Sequence, residues 1–465
     1  MIMKKPPGIF VLSLLFILAA PLFIFNDKNY TQMIEAALSN PIEIASNSAG
    51  DIYLPAPNIL DRLAEKDDEL TMVPVSIGPR EIIYYENRYT ILSYKTQAEC
   101  NKRKGLWDEK HGVCKAVSRK RSTDKEKTIG LKLLNIETGE VEVVAVKTKI
   151  NINGVSIVAP DGYQIEIVER PNGIRWNYWN TLYRVISPAN IVVIKNNYPR
   201  ETTETVSQTV KGKVVNRSKK VVRGFLYVPH SEFFEQEENR SILVKAGADY
   251  LKSTVAQAFN TLRERGVKSR AFPEKLVADV EALSPRFFER LPLLEQGDFT
   301  EFQLDPQKTA ERVLIILGAN KENAWRHTCN RSDACGWVQF TPRTYSNMRK
   351  FYPAAKVEKD FKTGAGDHTN SIMSAILLHD NNLAPLVKKF GDKILNDSDL
   401  EKYLAASYNG APRWVSNSLN ATISKAFAGW VTALSPTRKD SRGGLRKETR
   451  DFMTKLDYLI EKDLP

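Results

Sequence analysis

The chain has 465 residues, enough for two to four domains with substantial cores. Lysine and arginine number 67 against 55 aspartate and glutamate, a formal net charge of +12. No nucleic-acid-binding motif accompanies the basic runs, so nucleic acid is set aside as a partner. At the N-terminus, Lys4 and Lys5 precede an uncharged apolar run, 8–25. A helix of that length spans about 27 Å, enough to cross a bilayer. No small-x-small cleavage site follows promptly, and Pro21 sits directly after Ala19-Ala20. A retained, single-pass transmembrane anchor is therefore expected over a cleaved signal peptide, with 1–7 as a cytoplasmic end and the C-terminal bulk exported. Residues 26–80, punctuated by Pro41, Pro55, Pro57 and Pro74, read as a stalk.

Residues 81–127 read as a small basic module. Ten Lys/Arg stand against four Asp/Glu between Lys102 and Lys127, and Cys100 and Cys114 bracket Gly105, Trp107 and Gly112. On the oxidising side of a membrane, two local disulfides are expected, Cys100–Cys114 and Cys329–Cys335. The alternative is a zinc site made by His327, Cys329 and Cys335 with His368. That spacing matches no common finger, so no metal and no cofactor are expected. The basic runs, 211–223 included, suit an anionic polymer, a membrane surface, or a solvated face without a specific partner.

Residues 128–228 are β-rich. Valine and isoleucine alternate with polar residues in 139–146 and 163–168, separated by Asn153-Gly154, Asp161-Gly162 and Asn172-Gly173. A small antiparallel sandwich or barrel is expected. Trp176, Tyr178, Trp179 and Tyr183 are read as its core rather than as a stacking platform. The period then turns helical. Residues 242–265 are amphipathic and stop at Gly266, and 273–297 carry further helices interrupted by Pro285 and Pro292. Residues 229–300 are thus a helical extension.

Residues 301–465 show short helical patterns and no strand pattern. Asp305-Pro306 and Thr341-Pro342 open helices, 369–381 is another, and Ser398 with Glu401 forms a capping box before the helix carrying Tyr408 and Asn409. Residues 313–317 are apolar on every face, so their helix should lie in the core. Gly318 and the polar residues after it place Glu322 near the helix end. There the negative end of the dipole and apolar neighbours such as Trp325 are expected to raise the carboxyl pKa towards that of a general acid.

Four motifs follow in order: Glu322-Asn323-Ala324-Trp325; Gly336-Trp337-Val338-Gln339; Ala405-Ala406-Ser407-Tyr408-Asn409-Gly410; and Glu448-Thr449-Arg450. The series resembles the soluble lytic transglycosylase domain, a lysozyme-like family that cuts peptidoglycan glycan strands, over 301–465. Asn323 replaces the usual serine, Trp337-Val338 replaces Leu-Met, and Gly410-Ala411 inverts the usual Ala-Gly. The chain is thus expected to be multidomain: an N-terminal transmembrane anchor, a small β-rich domain, and a C-terminal domain that the resemblance implies is mostly α and lysozyme-like. It also implies one glutamate, Glu322, acting as acid on the glycosidic oxygen and then as base on the muramic acid 6-hydroxyl. The product is a 1,6-anhydro end, where ordinary glycosidases use two carboxylates. Gln339 and the Trp337-Val338 backbone would line the sugar groove, Tyr408 would hydrogen-bond Glu322, and Asn409 would contact substrate or hold its loop. Asn323 would be the polar neighbour of the acid. Wall or secretion-apparatus proteins are possible further partners. Two alternatives stand beside it. One is a goose-type-lysozyme-like hydrolase using Asp333, Asp360 or Asp367 to position water. The other is a non-catalytic wall-binding scaffold.

Overall fold

The structure, a computed structural model, describes residues 57–92, 96–102, 106–109, 113–151, 154–168, 181–210, 213–330, 332–434 and 443–465. The expected anchor at 8–25 lies outside them, as do Trp176, Tyr178 and Trp179. Residues 57–465 form one compact unit. Two short helices open it, α1 (Ile59–Ala64) and α2 (Asp67–Met72). The strands β1 (Ser76–Leu92), β2 (Leu106–Asp108), β3 (Val113–Asn135), β4 (Val141–Asn151), β5 (Gly154–Val158), β8 (Ile191–Val210) and β9 (Lys213–Tyr227) form one antiparallel sheet. A hairpin of β6 (Gln164–Val168) and β7 (Leu182–Ser187) lies beside it, and helix α3 (Gln97–Lys102) carries Cys100.

β3 is the axis. Its first half pairs with β1, from Ser76 against Thr128 to Leu92 against Cys114. Its second half pairs with β4 on one side and β8 on the other. Alternation along that second half explains both coverings. Ile129, Leu131 and Leu133 pack with Val146, Val193 and Tyr183, the last brought by the β6–β7 hairpin. Tyr183 is thus core, as expected. Lys132 points the other way, wholly buried; its ammonium donates to the Leu63 carbonyl (3.0 Å) and to Glu65 O and Asp67. Leu134 meets Ile59 and Leu63 on that side. Residues 57–80 are therefore no stalk: their few apolar side chains and one carboxylate close the back of the sheet.

Helices make up the rest: α4 (Glu237–Glu264), α5 (Pro285–Gln296), α6 (Phe299–Leu304), α7 (Pro306–Asn320), α8 (Pro342–Phe351), α9 (Phe361–Gly366), α10 (His368–Phe390), α11 (Asp392–Leu395), α12 (Leu400–Asn409), α13 (Pro412–Thr422) and α14 (Lys447–Glu461). Asp305 caps α7 by accepting from Lys308 N (2.9 Å), as its sequence predicts. Residues 313–317 are all buried, each stabilising by roughly 2 kcal/mol before entropy costs. α4 crosses α7 through Gly247 and Gly318. A Cβ on either would stand 2.1 Å from a carbonyl oxygen of the other helix, so only glycine permits this approach. The capping box expected at Ser398 is absent: α12 begins after Asp399 without a side-chain cap, and Glu401 instead accepts from Arg290 (2.9 Å).

The expected fold class is corrected. Sheet and helices are not separate domains but share cores: Ile59, Ile194, Val228, Leu243 and Ile315 form one cluster, and Phe225 and Tyr227 of β9 join the helical core. The boundary expected at 127/128 falls inside β3. Among the described residues no helix is long and apolar enough to cross a membrane. The chain is a mixed α and β unit. The apolar faces of single elements explain the misreading, because each is legible in sequence while its partner is not.

Asn320 is a polar link between the two parts. Its amide donates to Val228 O (3.0 Å) and Ile316 O (3.1 Å), and its carbonyl accepts from Val228 N (2.7 Å). Asn320→Ala would leave buried backbone groups of Val228 unpaired. The expected loss is about 3 kcal/mol, read as a lower urea midpoint at unchanged slope. A midpoint within error of wild type would show that the link carries no stability.

Candidate active site

Glu322 lies just beyond α7, in a single 3-10 turn, Lys321–Asn323. Its side chain is exposed, which corrects the expected burial. α7 stops at Asn320 because Asn320 turns back to Val228 and Lys321 takes a positive φ of 47°. Trp325 follows at φ 51°, fully buried, with no hydrogen-bond partner for its indole nitrogen. Non-glycine residues in the left-handed region cost energy and gather at functional sites. Here Lys321, Trp325, Asp333 and Gln339 all adopt it within one short stretch.

The disulfide Cys329–Cys335 closes the loop between the first two motifs. Cys100–Cys114 is likewise formed. The loop is further pinned by Asn330, whose side-chain oxygen accepts from Ser332 N (2.8 Å) and Ala334 N (3.0 Å). Both cysteines are thereby taken from the alternative zinc set, and no cluster of three metal-ligating side chains occurs among the described residues. His327 packs edge-on against Phe225 (4.8 Å), and burial pushes its pKa down to about 3.

The second motif is a tight turn at 336–339. Trp337 and Val338 are fully buried, their side chains part of the core. Gln339 braces the turn: its amide donates to Gly336 O (2.7 Å) and its carbonyl accepts from Asn330 Nδ2 (3.2 Å). Gln296, buried in α5, donates to Trp337 O (2.7 Å). The Tyr408 hydroxyl donates to Val338 O (2.6 Å), where the resemblance implied a bond to Glu322. Burial raises its pKa well above the ordinary phenol value. Asn409 accepts from the Thr449 hydroxyl (2.9 Å), which ties the third motif to the fourth.

One residue joins the first two motifs, and sequence reasoning considered it only as a zinc ligand. His368 Nε2 lies 2.8 Å from Ala324 O, and its ring stacks on Trp337 at 3.9 Å and 7°. Nδ1 lies 3.0 Å from the Tyr250 hydroxyl of α4. Tyr250 is within electrostatic reach of Glu322 and Asp367; burial first, and these carboxylates after it, push its phenol up to about 12. No motif marks Tyr250 or His368; the side-chain hydrogen bonds that join His368 to Ala324 and to Tyr250 span 44 and 118 positions. Of the three aspartates considered, Asp360 and Asp367 cap α9 and α10, accepting from Thr363 N (2.8 Å) and Asn370 N (2.7 Å). Asp333 sits in the disulfide loop at φ 57°.

His368 and His379 are buried, and burial lowers each pKa from 6.5 to about 3. Between those values the unfolded chain binds the extra protons. Stability is therefore complete above pH 6.5 and falls as pH drops towards 3, by up to about 1.4 kcal/mol per pH unit for each ring. Proton NMR should show both ring resonances unshifted down to pH 5; a folded-state titration near 6.5 would contradict this.

Comparison of the chain with family models, with curated proteins and with solved structures returns no match.

Proposed function

We propose that the protein is a peptidoglycan lytic transglycosylase that cleaves the β-1,4 bond between N-acetylmuramic acid and N-acetylglucosamine with Glu322 as its acid and base. One observation carries this reading. The four motifs, spread from 322 to 450, form a connected chain of contacts: Ala324 to His368, His368 to Trp337, Val338 to Tyr408, and Asn409 to Thr449. Core residues unrelated in role have no need of this order and convergence.

In this reading Glu322, exposed when no glycan is bound, is covered by the sugar strand. Exclusion of water is then what lets its carboxyl hold a proton for the departing oxygen. The carboxylate left behind takes the proton of the muramic acid 6-hydroxyl, whose oxygen closes on the anomeric carbon. No water is consumed. Gln339 and Tyr408 support the reaction by holding the 336–339 turn; Asn323 directly follows the acid, and Asn409, next to Tyr408, holds its loop through Thr449. The two disulfides fit an oxidising, extracytoplasmic setting.

The test is digestion of purified sacculi followed by mass spectrometry. Fragments ending in 1,6-anhydromuramic acid support the proposal, and no fragments would leave a wall-binding scaffold instead. A hydrolase on the same fold, with a second carboxylate to position water, is the other outcome this digest can give. Reducing ends, lost in Asp367→Asn, would select it.

A further inference from the structure

The Tyr250 and His368 side chains lie outside all four motifs, yet they meet the first two. Ala324 O can only accept, so the His368 Nε2 facing it at 2.8 Å carries the hydrogen. Burial keeps the ring neutral, its pKa being lowered to about 3. Nδ1 is then bare, and the Tyr250 hydroxyl donates to it at 3.0 Å. The tautomer is set at both ends. The ring plane is set as well: Trp337 lies flat against it, and the Trp337 indole donates to Ser371 Oγ (2.6 Å), which itself donates to His368 O (2.9 Å).

From this geometry we infer that Tyr250 and His368 are a positioning pair, which holds the Ala324 carbonyl, and with it the Glu322 turn, at a set separation from the 336–339 turn. The inference rests on Glu322 being the acid. The Glu322 turn needs such a clamp. It leaves α7 through Lys321 at positive φ and enters the core through Trp325 at positive φ, two strained residues that relax unless surroundings hold them. Ala324 O lies between those two points, and His368 Nε2–H is the donor given to it. The clamp is anchored in α4, which crosses α7 at Gly247 and Gly318, so acid turn and clamp share one rigid pair of helices. A displacement of about 1 Å in a catalytic group costs on the order of 100-fold in rate. Loss of one hydrogen bond in the clamp should therefore lower kcat without loosening substrate binding.

Soluble glycan strands serve as substrate for steady-state kinetics. Tyr250→Phe keeps the ring and removes the donor. It is expected to lower kcat about tenfold with KM within twofold of wild type. His368→Gln can donate to Ala324 O and accept from Tyr250, so it should keep about ten times the kcat of His368→Leu. Wild-type protein labelled with nitrogen-15 should show Nε2 protonated and Nδ1 bare. Wild-type Tyr250→Phe kinetics, a rise in KM alone, equal rates for the two His368 variants, or the opposite tautomer would each overturn the inference and leave the reading of Glu322 intact. Should Tyr250→Phe fail to fold, the two His368 variants and the tautomer decide. A wild-type protein that cleaves no glycan would overturn the reading and the inference together.

Discussion

Glu322→Gln is expected to stop the release of fragments from sacculi, lowering the rate by about 1000-fold or more. Gln matches the shape of Glu but has no acidic proton to deliver and cannot accept one from a 6-hydroxyl. General acid and base catalysis are worth about 100- to 10,000-fold per group, and in the proposed mechanism one group serves both steps. Glu322 is exposed and follows the helix end, so the substitution should leave stability within about 0.5 kcal/mol of wild type. That pairing of a large kinetic loss with unchanged melting separates a chemical role from a structural one. Equal cleavage by wild type and variant would remove Glu322 from the mechanism, whichever end group the product carries. A variant that loses activity and unfolds early would instead make Glu322 a structural residue.

Gly336→Ala should be the most damaging single methyl in the molecule's motif region. Gly336 has φ 74°, and a Cβ there would sit 1.9 Å from the Ala365 carbonyl oxygen. Neither contact can relax cheaply. Ala365 O belongs to α9, whose end leads through Asp367 into α10 and His368. The turn that would have to move carries Trp337, stacked on His368, and Val338, bonded to Tyr408. Overpacking of this kind costs about 1–3 kcal/mol, and the left-handed φ adds about 1 more. A urea midpoint lowered by the equivalent of about 3 kcal/mol is expected, with glycan cleavage lost even where the protein remains folded. Wild-type stability and activity together would show that the 336–339 turn has slack that these distances deny.

How much of this was legible beforehand differs by element. Helix starts marked by Asp305-Pro306 and Thr341-Pro342, the stop at Gly266, and the apolar run at 313–317 are local signals, and the structure has them where they were expected. Both disulfides join cysteines separated by 14 and 6 positions, close enough for spacing to pair them. The stalk was misread because Lys132, buried against Leu63, Glu65 and Asp67, is a partner no window around 57–80 contains. The burial of Glu322 was misread because helix-end and neighbour arguments do not say which way a side chain faces. Ala324 and Trp325 turned inward and Glu322 outward.

The sequence by itself determined where the chain bends, where its helices begin, which cysteines pair, and which four motifs stand in series, because each of these depends on neighbours within a few residues. Only the tertiary structure decided that sheet and helices share their cores, that Tyr408 bonds Val338 rather than Glu322, and that Tyr250 meets His368, which meets Ala324. The last two depend on contacts across 44 to 118 positions, and the shared core on longer ones, where hydrogen-bond geometry and close packing, not local pattern, select the partner.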